Sequence, residues 1–184
     1  MRNAFGDALL RQVEQLAAPE RDAILGMIDE ETLVHYRRAM QVGWSPMALH
    51  MEVSDAIRAV IGPTRNVALW SRTMAALTNR PLLSGFLEHV GVRLGVSPGT
   101  IYRQTARLWK HLCREVGDLD AEVRNQGTKV ELRRFPAHEH QFQCFVEGLH
   151  GCLIGLVASL GIVPEVRVVG TDPEAGDALY DITW

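Results

Sequence analysis

The amino-acid sequence predicts an α+β fold: a helical N-terminal layer packed on a four-stranded antiparallel sheet, with the sheet formed by two C-terminal hairpins and a long helix between them. Three observations predict it. Apolar residues recur every three or four positions up to about residue 116. After Gly117 the recurrence shortens to two. The alternating segments then come in two pairs, separated by one uninterrupted helical stretch.

The helical part justifies itself segment by segment. Phe5, Leu9, Leu10, Val13 and Leu16 share one helical face, which Pro19 closes. Pro19 also starts the next helix, with Glu20 and Asp22 in its first turn and Ile24, Leu25 and Ile28 on one side. Asp29 is placed to cap a third helix bearing Leu33, Tyr36 and Met40, and Gly43 stops it. Ser45-Pro46 opens a longer helix with Leu49, Val53, Ile57, Val60 and Ile61 on its apolar side, ended by Gly62-Pro63. Val67, Trp70, Met74 and Leu77 mark another. Pro81 begins a segment with Leu83, Phe86, Val90 and Leu94; Gly95 breaks it, and Ser97-Pro98 restarts a helix reaching about Val116.

The alternating part follows. Ala121 and Val123 pair with Val130 and Leu132 across the turn Asn125-Gln126-Gly127, which reads as a β-hairpin. Pro136 stops the second strand. A helix from about Glu139 to Leu160 ends at Gly161, a C′ glycine. The second hairpin carries Val166 and Val168 on one strand and Ala178, Tyr180, Ile182 and Trp184 on the other. Two one-sided hairpins joined into a sheet need a helix over their apolar face, and the 139–160 helix supplies it. The 184 residues suffice for one domain over 1–184 with one core.

Composition bounds the function. Hydrophobic residues make 47% of the chain and charged residues 22%, which is ordinary for a globular domain and excludes a disordered or collagen-like chain. Net charge is −3, so any affinity for nucleic acid needs a local basic patch. The three cysteines are odd in number and lack Cys-x-x-Cys spacing, which points to a reducing compartment. The N-terminus lacks the features of a signal peptide, and no apolar stretch of about 18 residues occurs. The chain reads as cytoplasmic with no membrane span.

Three constellations carry a chemical reading. The segment 87–114 has the glycines (Gly91, Gly95) and apolar residues (Val90, Leu94, Val96, Ile101) of a helix-turn-helix. Arg103, Arg107, Lys110 and Arg114 would then meet phosphates. The plainer reading is two packed helices with basic residues in water, and Trp109 and Leu112 favour burial of one side. Next, His138, His140, Cys144, His150 and Cys152 offer metal-binding chemistry. Cys144 and His150, however, diverge around a helix, and Cys144 and Cys152 stand about 12 Å apart along it. No metal and no cofactor are expected. The catalytic patterns Gly-x-Ser-x-Gly, Gly-Lys-Ser/Thr and His-Glu-x-x-His are absent, and nothing recommends an enzyme.

The third is Gly148, Gly151 and Gly155, which with Ser159 make a strip free of bulky side chains. Glycine inside a helix costs about 1 kcal/mol against alanine, so several on one face call for a reason. Close packing against another backbone is one reason; room for a ligand is the other. Trp70, Met74, Trp109, Phe145 and Leu149 are apolar residues able to line a pocket or fill the core.

The stretch Phe145-Val146-Glu147-Gly148-Leu149-His150-Gly151, with Leu153 to Gly161 and the closing Tyr180-Asp181-Ile182-Thr183-Trp184, resembles the C-terminal half of vinyl-reductase-type ligand-binding domains. The whole chain, through Trp44-Ser45-Pro46, Gly62-Pro63, Leu94-Gly95-Val96-Ser97-Pro98 and Trp184, is similar to a paralogous family abundant in myxobacteria. Both lie in the superfamily of haem-nitric-oxide-binding domains and small TRAPP subunits. The resemblance implies a helical layer on a twisted antiparallel sheet, often dimeric, with an apolar pocket between the layers. Two of its features do not carry over. The final hairpin has no cysteine, and Tyr36-Arg37-Arg38 does not supply the Tyr-x-Ser-x-Arg pattern of the haem-binding members. The expectation is a non-catalytic sensory or adaptor domain that binds a small apolar ligand or a protein partner, as a homodimer. The alternative is a DNA-binding regulator using 87–114.

Overall fold

The computed structural model describes residues 1–81, 83–85, 97–136 and 139–184. The chain begins with α1 (Asn3–Val13), α2 (Ala18–Gly26) and α3 (Glu30–Arg38). α1 buries Phe5, Leu9, Leu10 and Val13, the face its periodicity marks. Pro19 lies in the first turn of α2, where its missing N–H costs no hydrogen bond. Asp29 does occupy the N-cap of α3, but its side chain makes no capping bond. The acceptor comes from elsewhere: Asp29 N–H and the Thr32 hydroxyl each donate to the Glu52 carboxylate at 2.6 Å.

Glu52 belongs to α4 (Met47–Thr78), which contains both helices expected between residues 45 and 80. The expected break is present as a kink. Gly62 has φ 75° and ψ 169°, a conformation glycine adopts without a Cβ clash, and Pro63 resumes the helix. The helix expected from Ser97 to about Val116 is instead two, α5 (Pro98–Arg103) and α6 (Thr105–Leu112). Ser97 caps α5 as its sequence suggests, accepting from Thr100 N–H at 3.2 Å. At Gln104 the helix is interrupted, and the Thr105 hydroxyl donates back to the Tyr102 carbonyl, the local competition by which threonine opposes a continuous helix.

The sheet consists of β1 (Asp118–Arg124), β2 (Gly127–Arg133), β3 (Glu165–Asp172) and β4 (Asp177–Thr183), all antiparallel in the order β1-β2-β4-β3. The two hairpins join through β2 and β4, with Val130 opposite Tyr180 and Thr128 opposite Ile182. Leu119, Val130, Leu132, Ala178, Tyr180 and Ile182 are buried on one face. The helix α7 (Glu139–Leu156) lies between the hairpins in sequence, and Gly161 (φ 68°) closes the single 3₁₀ turn that follows it. Two buried tyrosines tie α7 down: Tyr180 donates to the Val146 carbonyl at 3.0 Å and Tyr102 to the Leu153 carbonyl at 2.8 Å. On its other side α7 packs along α4. No described helix is long and apolar enough to cross a membrane.

Candidate functional site: an apolar cavity between α4, α6 and α7

The three glycines of α7 face α4 but do two different things. A Cβ on Gly151 would fall 2.3 Å from the Val67 carbonyl oxygen, and one on Gly155 would fall 2.2 Å from that of Ser71. Here backbone meets backbone. At Gly148 the neighbour is a side chain, the Trp70 indole, 3.1 Å from where a Cβ would stand.

A cavity opens beside that indole. Trp70, Met74, Trp109, Phe145, Leu149 and Gly148 all border it, together with Phe5 from α1, Leu119 from β1, and Cys144, Cys152 and Leu153 from α7. The rings are held in place. Trp109 donates from Nε1 to the Gly117 carbonyl at 3.0 Å and meets Phe145 edge to face at 5.9 Å, while Phe145 stacks on Phe135 at 3.9 Å. The atom-free space amounts to about 630 Å³ once the mouth and the crevices between side chains are counted. The part wide enough for a water molecule is about 60 Å³.

His50 is the residue that apolar patterning passes over. It lies on the cavity wall, 1% exposed, and neither ring nitrogen has a hydrogen-bond partner. Burial lowers its pKa to about 3, so the imidazole is neutral at physiological pH. The available signal was its position: 50, 53, 57 and 61 form a helical row whose other members are apolar. Trp70 Nε1 is a second buried polar atom without a partner.

The thiols on this wall are chemically quiet. Burial pushes the Cys113 pKa up to about 12 and raises Cys144 and Cys152 further. Among the described residues no set of His, Cys, Asp or Glu is arranged to hold a metal ion. His138 lies outside the described residues, His140 approaches Asp55 at 3.7 Å, and His150 is half-buried. Of the segment 87–114, residues 87–96 lie outside the described part. In the remainder Ile101, Tyr102, Leu108 and Leu112 are buried, while Arg103, Arg107 and Lys110 are exposed. Arg114 lies over the Trp44 ring at 4.0 Å, engaged within the protein.

Solved structures give this arrangement a fold. A mutant of the Fe(II) unliganded H-NOX protein from K. algicida superposes with a TM-score of 0.68 at 10% identity, covering 100% of this chain and 96% of the other. An oxygen-binding H-NOX domain related to soluble guanylate cyclases superposes at 0.60 and 9%, covering 99% and 93%. An H-NOX structure determined to probe haem distortion gives 0.59 and 12%, covering 99% and 93%. The chain has the H-NOX fold. No protein-family model and no curated protein matches the sequence.

The H-NOX fold brings haem into question, and the described residues do not fit it. The space wide enough for a water molecule is about 60 Å³, against several hundred for a pocket that takes a drug-sized molecule. No described Arg or Lys borders the cavity to pair with porphyrin carboxylates, and the ammonium of Met1, a residue of the lining, donates to the Ser45 carbonyl. No tyrosine of the sequence begins a Tyr-x-Ser-x-Arg pattern.

Proposed function

We propose that the chain is a non-catalytic sensory or adaptor domain, one domain over residues 1–184, that takes a small, mainly apolar molecule into the cavity walled by Trp70, Met74, Trp109, Phe145 and Leu149. One observation carries the reading: a void remains beside Gly148 although the same helix pair closes to backbone contact at Gly151 and Gly155. Interiors are otherwise packed to crystal density, so a void of several water volumes at the junction of three helices is available for an occupant. The resemblance of the Phe145–Gly151 stretch and the terminal hairpin to vinyl-reductase-type ligand-binding domains, and of the whole chain to the myxobacterial paralogues, supports the same reading. A cytoplasmic homodimer, the habit of that superfamily, completes it.

The test uses xenon, which occupies apolar cavities without needing a polar partner. Xenon NMR on the purified chain gives a saturable shift, and Leu149→Trp, which fills the space, abolishes it while the fold is retained by circular dichroism. An unsaturable shift indifferent to that substitution rejects the reading. Native mass spectrometry of freshly purified protein then reports any retained metabolite and whether the mass is that of a dimer.

A further inference from the structure

The strand β3 ends the sheet. In the order β1-β2-β4-β3 it has β4 on one side, whereas the opposite edge strand, β1, is lined by α5 and α6. Exposed apolar surface gathers at β3. Of the seven large apolar residues exposed among those described, Val163 (88%), Val168 (39%) and Val169 (52%) lie in or just before it. Val166 and Val168 stand opposite Ile182 and Tyr180, on the buried face of the sheet. Glu165 and Arg167 stand on the outer face, ion-paired with each other at 2.6 Å.

Ladder geometry tells which backbone groups this edge leaves free. The two-residue turn Asn125-Gln126 makes Arg124 and Gly127 a hydrogen-bonded pair. Alternation carries that parity across the sheet. Thr128 and Val130 bond to Ile182 and Tyr180, so Asp181 and Thr183 bond to Arg167 and Glu165. Val166 and Val168 therefore turn their N–H and C=O groups to the open side, where they form a template for another strand.

A twofold axis perpendicular to the sheet would pair β3 with itself, antiparallel, and keep both buried faces on one side. The pleat then allows only registers centred on a residue, because directly opposed side chains must share a face. Centred on Glu165 or on Arg167, the axis sets like charges against each other. Centred on Val168, it sets Arg167 against Val169, the residue skipped by the register shift, and forms no ion pair. Centred on Val166, it sets Glu165 opposite the partner's Arg167 and Arg167 opposite the partner's Glu165, four alternating charges on one face. The exposed Val163 then comes beside the partner's Val169. Val166 exchanges two backbone bonds with its counterpart, and Val168 N–H donates to the partner's Pro164 carbonyl. Pro164 has no N–H to extend the ladder, and the register shift after Val168 ends it on the other side.

We propose that two copies of this chain associate through β3, antiparallel about Val166, and join their four-stranded sheets into one. The proposal names the face of the homodimer in the proposed function and rests on that part of the reading. The ladder is short, so association is weak and depends on concentration.

Sedimentation of the full chain over a series of concentrations tests it. The natural chain dimerises. Glu165→Arg alone and Arg167→Glu alone each set like charges opposite one another twice, and each raises the dissociation constant about tenfold or more. Mixed in equal amounts, the two variants pair with each other as tightly as the natural chain, because every arginine then faces a glutamate. Both side chains are exposed, and circular dichroism checks that the fold is kept. A natural chain that is monomeric at every concentration overturns the proposal together with the homodimer. A dimer indifferent to both single changes, or a mixture no tighter than the single variants, leaves a homodimer standing and overturns this face. The cavity reading is scored apart from either, by xenon.

Discussion

The indole of Trp70 lies across Gly148 so closely that a Cβ on residue 148 would come within 3.1 Å of its ring. Along the same helix the contact turns from ring to backbone at Gly151 and Gly155. The α4–α7 interface is therefore closed at one end and propped open by an aromatic side chain at the other. The candidate site is the propped end.

This difference predicts unequal costs for one substitution. Gly151→Ala and Gly155→Ala each force a methyl against a carbonyl oxygen that cannot rotate away, so the helices must separate. That overpacking costs about 1–3 kcal/mol or more, beyond the gain of about 1 kcal/mol in helix propensity. Gly26→Ala in α2, where a Cβ meets nothing within 4 Å, should be neutral or stabilising by up to about 1 kcal/mol. Urea unfolding of the three variants checks the order. If Gly155→Ala is as stable as Gly26→Ala, the helices do not touch as described.

A second prediction concerns the start of α3. Glu52 receives two hydrogen bonds there while Asp29, at the N-cap, gives none from its side chain. Glu52→Ala should lose about 1–2 kcal/mol, the usual worth of a helix cap, and Asp29→Ala less than about 0.5 kcal/mol. Chemical denaturation of the pair decides it. The reverse ranking would return the cap to Asp29.

These two cases also mark what the sequence made legible. The hairpins, their turn at Asn125-Gln126 and the glycine ending at Gly161 are local events, governed by alternation and by residues that turn the chain, so they could be read directly. The joining of the hairpins through β2 and β4 follows from each having one apolar face. The cap from Glu52 could not be read, because its acceptor arrives from 23 residues away. The break at Gln104 was hidden for a similar reason: Thr105 fits a helical period, and only its hydroxyl bond to Tyr102 shows the interruption. The five apolar wall residues were legible as an apolar set. That a void stands among them was not, because periodicity reports which faces are buried and says nothing of how fully they are filled. His50 was overlooked because an imidazole in an apolar row carries no mark distinguishing a packed ring from one facing a cavity.

The burial of His50 has a consequence for pH. Folded, it stays neutral down to about pH 3; unfolded, it takes a proton below its ordinary value of 6.5. The unfolded chain therefore binds more protons between these limits, and stability must rise with pH there. The His50 contribution is complete above pH 6.5 and declines as pH falls, by about 1.4 kcal/mol per unit, or about 2 kcal/mol between pH 7.5 and 5. The groups packed about the ring reinforce this. Phe5 and Trp70 offer it no acceptor, and the Met1 ammonium opposes a second positive charge. His150, half-buried and also lowered by burial, adds a smaller slope of the same sign. Carboxylates held low by arginine partners, Glu20 by Arg65 and Glu131 by Arg133, lose their effect only below their ordinary 4.5, outside this window. Urea unfolding at pH 7.5, 6 and 5 should thus show falling stability in the natural chain and a much flatter profile in His50→Phe. That substitution also removes two unmet ring nitrogens, each costing about 1–3 kcal/mol, so the variant should be the more stable protein at every pH. An unchanged slope in His50→Phe would mean that the folded ring takes up its proton as readily as the unfolded one and is not buried as described.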